Sequence, residues 1–182
     1  LSKLFDDSIV IKTDSYYRDD LYIKFLSIFI YDIYDRFISI RNKCLAKTIK
    51  SIYNKEELIT FYNYDFRSKR SSLVTRKLDY KNNNSFLILE GIFAHRLDLD
   101  YKKTINILCN EKKEICYVRR LNRDYIERGR KCNEVNIKFY RSWDIFSKYI
   151  TRFIYKNNDV ISIKTVDKKS YKQLICRLKD YI

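Results

Sequence analysis

The sequence predicts an α/β fold with a mainly parallel sheet. Short runs of β-branched and apolar residues recur along the chain, and longer stretches between them carry apolar residues at helical spacing. Of the 182 residues, 46% are apolar, enough to build one core in a single domain over residues 1–182 even though 34% are charged. Pro is absent and Gly occurs only twice, at Gly91 and Gly129, which excludes a collagenous chain, a Gly/Ser linker and a Pro-rich tail.

Ser8 to Lys12 reads as a short buried strand. Lys43 to Tyr53 spaces Leu45, Ile49 and Ile52 as one face of a helix. Leu58 to Phe66 and Leu73 to Tyr80 are β-rich and flank a polar Arg-Ser-Lys-Arg-Ser turn, the pattern of a hairpin. Asn82-Asn83-Asn84 reads as a turn, because Asn tolerates left-handed backbone. Phe86 to Leu89 is wholly apolar and reads as a central strand ending in Glu90-Gly91. Thr104 to Cys109 and Val160 to Thr165 are further strands. Lys112 to Ile126, Glu134 to Ile150 and Lys168 to Tyr181 are amphipathic helices.

No apolar run reaches the ~18 residues of a membrane-spanning helix. Leu21 to Phe37, the richest stretch, is broken by Lys24, Asp32, Asp35 and Arg36. Five widely spaced cysteines and one His make a structural zinc site improbable and point to reduced thiols and a cytoplasmic location. The net charge of +15 suits nucleic acid, an anionic membrane surface or a small polyanion such as a nucleotide.

In a parallel sheet, ligands bind at the carboxyl ends of the strands. Asp14, just after the first strand, is placed either as a general base for a hydroxyl or as an Asx-turn or N-cap residue. Glu90 ends the central strand, as a Mg²⁺-side carboxylate beside nucleotide phosphates or as part of an ordinary turn. From Arg119 to Arg130, 12 residues hold five of the 15 Arg in a chain with 23 Lys. Arg grips phosphate with a planar fork where Lys is a point charge, so this local enrichment suits phosphate geometry. Arg120 and Arg123 share one helix face, and Arg128 and Arg130 follow a bend near Gly129. The alternative is a solvated basic helix paired with Asp124 and Glu127. His95 reads as structural rather than as a substrate contact, and Trp143 as packing one face of the Glu134–Ile150 helix.

Together and in this order, these motifs resemble the uridine kinase family of P-loop nucleoside kinases, from about Ser8 to about Tyr149. Asp14-Ser15-Tyr16-Tyr17 resembles the family's Asp-Ser-Phe-Tyr. Tyr31-Asp32-Ile33-Tyr34-Asp35-Arg36-Phe37 is similar to its Phe-Asp-His-Pro-x-Ala-Phe. Tyr64-Asp65-Phe66 and Glu90-Gly91-Ile92 match its Tyr-Asp-Phe and Glu-Gly-Ile. Arg119-Arg120-Leu121-Asn122-Arg123-Asp124 with Glu127-Arg128-Gly129-Arg130 resembles its arginine-rich lid, the most specific piece.

The resemblance implies a P-loop kinase-like three-layer fold with a hairpin insertion at about 58–80 and a lid at about 119–132. It implies ATP-dependent phosphorylation of a uridine or cytidine 5′-hydroxyl, with Mg²⁺. Asp14 would accept the hydroxyl proton, and Asp32 would hold the ribose with Arg120 nearby. Tyr17 and Tyr64 would line the nucleoside pocket, and Glu90 would help place Mg²⁺. Arg123, Arg128 and Arg130 would close over the ATP phosphates. The Gly-x-x-x-x-Gly-Lys-Ser/Thr loop of the family does not occur in these residues, and Leu1 to Phe5 resembles the end of the helix that follows it. The expectation is a fragment lacking about 20–30 residues at its start, inactive by itself. Ile33-Tyr34 replaces the family's His-Pro, and Lys69 with Arg70 stands where the family has a His for the pyrimidine. Alternatives are a related phosphoribulokinase-like or pantothenate kinase-like enzyme, a catalytically dead relative, or a basic RNA-binding module. The last is disfavoured because no RNP-like motif or GXXG loop is present and the 17 Tyr are spread along the chain. The expected partners are a nucleoside and ATP, with a homo-oligomer possible and no membrane.

Overall fold

A computed structural model describes residues 8–80, 86–97, 104–156, 160–164 and 168–179. The Leu1–Phe5 helix end and the Asn82–Asn84 turn lie outside the described residues. The chain divides into two compact units, Leu1–Leu99 and Asp100–Ile182. Each is mixed α/β and carries one short parallel strand pair. Among the described residues no helix is long and apolar enough to cross a membrane.

The first unit opens with β1 (Ile9–Lys12), which runs into a 3-10 turn over Thr13–Tyr16. Asp20 then caps α1 (Leu21–Phe29), its Oδ1 accepting from Ile23 N at 3.1 Å. The sequence pattern does not announce this helix, because apolar residues occupy nearly every side of it. Only Ile23 is buried, while Leu21, Phe25, Ile28 and Phe29 are exposed. Two further 3-10 turns, Ile33–Asp35 and Phe37–Ser39, lead to α2 (Asn42–Tyr53). This helix buries Leu45, Ile49 and Ile52, the face that the spacing predicts, and Thr48 Oγ1 donates to Thr60 O at 3.2 Å.

Strands β2 (Leu58–Asp65) and β3 (Arg70–Lys77) pair antiparallel, from Leu58 opposite Lys77 to Asp65 opposite Arg70. The turn between them is shorter than the sequence suggests, because Arg70 and Ser71 join the second strand. Asp65 closes it by accepting from Arg67 N at 2.9 Å and from Ser68 Oγ at 2.7 Å, and Lys69 takes a left-handed φ of 55°. The unit ends with β4 (Leu87–Glu90) and a 3-10 turn at Ala94–Arg96. β4 lies parallel to β1, with Ile9 opposite Leu87 and Lys12 opposite Glu90.

The second unit holds β5 (Asn106–Cys109), α3 (Lys113–Arg128), α4 (Cys132–Lys156), β6 (Val160–Ile163) and α5 (Lys168–Lys179). β5 and β6 pair in parallel, from Asn106 opposite Val160 to Cys109 opposite Ile163. α4 runs past both ends of the stretch that the sequence suggests. It meets α3 through stacked aromatics: the Tyr117 ring lies 5.2 Å from Phe139, and Trp143 packs between Phe139 at 5.6 Å and Phe146 at 6.3 Å. Val135 on α4 and Leu174 on α5 are fully buried.

Candidate active site

Parallel pairing of β1 with β4 sets the carboxyl ends of two strands side by side, with Lys12 opposite Glu90. The residues beyond those ends are Thr13 and Asp14 on one strand and Gly91 on the other. They are in close approach. Gly91 has φ +135°, and a Cβ there would overlap Thr13 Oγ1 and lie 3.5 Å from Asp14 Oδ1. The fold thus brings two candidates that are 76 positions apart in sequence, Asp14 and Glu90, to one edge of the strand pair. Glu90 is exposed there and Asp14 is half-buried.

An aromatic cluster lies beside this edge. Tyr17 sits at its centre, with ring centroids 5.5 Å from Tyr64, 5.9 Å from Phe66, 6.1 Å from Tyr34 and 6.4 Å from Phe93. The structure therefore brings Tyr17 and Tyr64 together, and both are buried, at 7% and 9% exposure. Asp32 stands two residues before Tyr34 and forms an ion pair with Arg36 at 3.5 Å.

Residues that sequence reasoning passed over hold this region in place. Asp19 accepts from Arg41 Nη2 and from Ser71 N, the latter at 2.9 Å, while Ser71 Oγ donates to Tyr17 O at 2.8 Å. The Ser71 N–H and then the Arg41 guanidinium hold the Asp19 carboxyl below the usual carboxylate range, against the upward push of burial. Arg41 N also donates to Tyr16 O at 2.8 Å. The segment after β1 is thus tied to the start of α2 and to β3. Arg18-Asp19-Asp20 is a visible charge cluster, but the partners of Asp19 lie 22 and 52 residues away, which no local pattern reveals. Burial, reinforced by Arg96, pushes the His95 imidazole down toward its neutral form, in keeping with a structural role.

In the second unit the arginine run is organised by Asp124, a residue of the lid motif to which the sequence alone gives no role beyond pairing on a solvated helix. Asp124 is fully buried, at 0% exposure. Arg123 donates Nε and Nη2 to Asp124 Oδ1 at 3.0 and 2.9 Å, and Arg130 donates Nη1 to Oδ2 at 2.9 Å. Arg128 Nη1 lies 3.4 Å from Oδ1 and Arg120 Nε 3.7 Å from Oδ2. Burial raises the Asp124 carboxyl, but Arg128, Arg123 and Arg130 outweigh it and hold the group below its ordinary value. Arg120 also donates to Ser142 Oγ on α4 at 3.0 Å.

One detail of the bend is corrected. Arg128 is the last residue of α3, and only Arg130 follows the turn. Gly129 makes that turn at φ +63°, the left-handed C-cap, which lets Arg130 N donate to Asp124 O at 3.1 Å. Nothing lies within 4 Å of a Cβ built there. Gly129→Ala is therefore expected to cost only the backbone strain, about 1 kcal/mol in urea unfolding.

Among the described residues no group of three or more His, Cys, Asp or Glu could cage a metal. Mg²⁺ commonly needs only one or two carboxylates when substrate phosphates and water complete its shell. The exposed Glu90, at the strand edge, is of that kind.

The family model for the phosphoribulokinase / uridine kinase family matches residues 39–171, which is 133 of the 182 residues. The chain belongs to this family. It is a kinase-type chain, and its mixed α/β units with short parallel strand pairs are compatible with a P-loop kinase-like fold. The family match covers Tyr64, Glu90 and the whole arginine run, whereas Asp14, Tyr17 and Asp32 precede it. Asp14 is placed by the pairing of β1 with β4, Tyr17 by the aromatic cluster, and Asp32 is held by its ion pair with Arg36. No curated protein matches the chain.

Proposed function

We propose that this kinase transfers the γ-phosphoryl group of ATP to the 5′-hydroxyl of a nucleoside, uridine or cytidine. The observation that carries this reading is the approach of Asp14 to Gly91 at the joined ends of β1 and β4, with Glu90 on the neighbouring strand end. Asp14 accepts the proton as the hydroxyl oxygen forms its bond to the γ-phosphorus and the bond to the departing ADP breaks. Tyr17 and Tyr64 border the base and sugar, and Asp32 takes the ribose hydroxyls. Glu90 helps to hold Mg²⁺, which when bound neutralises phosphate charge. Arg123, Arg128 and Arg130 form the lid over the phosphates, where positioned positive charge supplies much of the catalysis.

One observation favours a second acceptor class. The β2–β3 turn ends at Lys69 and Arg70 opens β3, both exposed and close in sequence to Tyr64 and Phe66. Two cations there suit an anionic acceptor such as ribulose 5-phosphate or pantothenate. Steady-state kinetics with ATP and Mg²⁺ on the natural protein separates the two. The expected result is a kcat/KM for uridine or cytidine at least about tenfold above that for the anionic acceptors, a transition-state difference of about 1.4 kcal/mol. The reverse order assigns the acceptor to the anionic class.

A further inference from the structure

We propose that Asp124 is a positioning residue: one buried carboxylate that gathers four guanidinium groups into a single cationic surface for a triphosphate chain. The proposal rests on the reading of Arg123, Arg128 and Arg130 as phosphate ligands and adds the device that arranges them beside Arg120.

A carboxylate has two oxygens with about four acceptor sites. Around Asp124, Oδ1 takes Arg123 twice and lies near Arg128, while Oδ2 takes Arg130 and lies near Arg120. One negative charge therefore faces four positive ones, and the cluster keeps a surplus of three. Each guanidinium carries five N–H donors in a rigid fork. Asp124 takes two donors from Arg123 and one from Arg130, so both forks keep capacity for a second acceptor. Arg123 is also the most exposed of the four, at 43%, while the carboxylate is wholly shielded. A buried carboxylate among guanidinium groups is a poor source of net stability, because desolvation offsets much of the attraction. What it supplies is geometry. Without it four cations a few ångströms apart repel one another and splay.

Two further contacts fix the array from outside. Ser142 on α4 holds Arg120, and the left-handed turn at Gly129 returns Arg130 to the same carboxylate.

Net charge and positioning call for opposite results when the carboxylate is neutralised. Asp124→Asn raises the local surplus from three to four. If charge alone governed phosphate binding, the variant would bind more tightly. If Asp124 positions the forks, it binds more weakly. Titration of the chain with inorganic triphosphate at low salt, followed by calorimetry, reads the sign. The expected result is an affinity about tenfold or more below that of the unaltered chain, as misplacement of preorganised groups requires. Equal or tighter binding by a folded Asp124→Asn variant overturns the proposal.

Asp124→Glu is the second variant, and it decides alone if the Asn form does not fold. It keeps the charge but displaces the carboxylate by one methylene. A loss of about threefold or more supports positioning, and unchanged affinity overturns it. If the unaltered chain itself does not bind triphosphate, the assignment of these arginines to phosphate fails, a result distinct from equal binding by chain and variant.

Discussion

Asp14→Asn is expected to lower turnover by about 10²–10⁴-fold, the usual contribution of a positioned general base. The acceptor KM should change by less than about threefold, because Asn keeps the shape and hydrogen-bonding reach of Asp and loses only the capacity to take a proton. The placement supports this size of effect. Asp14 lies in the turn directly after β1, at the carboxyl end of a parallel strand pair, where α/β sheets bind ligands. It is held there by the close approach of Gly91 and by the ties that Asp19, Arg41 and Ser71 make around the same segment. Steady-state kinetics on the natural protein checks it. Near-normal kcat would remove Asp14 from the chemistry.

Gly91→Ala is expected to destabilise the first unit by about 2–6 kcal/mol, through two effects that add. A side chain at φ +135° costs about 1–3 kcal/mol, since this backbone region is nearly confined to Gly. The new methyl also overlaps Thr13 Oγ1, and overpacking of this kind costs about 1–3 kcal/mol more. Relief would require Thr13, fully buried, to move, and Asp14 would move with it. Activity should therefore fall together with stability. Urea unfolding of the Gly91→Ala and Gly129→Ala variants side by side is the informative comparison, because only Gly91 has both strain and a neighbour in the way. Equal losses at the two positions would contradict the close approach of β4 to the turn after β1.

The scarcity of glycine made these positions visible in the sequence, and their motifs assigned each to a turn. What was legible was local. The apolar face of α2 can be read from Leu45, Ile49 and Ile52 because burial there follows a single helical period. β1 and β4 can be read as short apolar runs, but their parallel pairing cannot, because it joins residues that are 78 apart. α1 was hidden by apolar residues on most of its sides, which leave no amphipathic signature. The burial of Asp124 is not legible for a related reason. A carboxylate among arginines on a polar helix looks solvated, and only the side chains folding inward from Arg120, Arg123, Arg128 and Arg130 reveal that it is buried. The Asp19–Ser71–Arg41 tie is long-range and leaves no sequence pattern.

The central claim is that Asp14 takes a proton from a nucleoside 5′-hydroxyl while the γ-phosphoryl group is transferred to it. ³¹P NMR of the product made from ATP and uridine, by the natural protein and by its Asp14→Asn form, tests this most directly. The expected spectrum is a single 5′-monoester from the unaltered protein and at most a trace from the variant in the same time. A monoester on the 2′- or 3′-oxygen, or equal yield from the Asp14→Asn form, would contradict it.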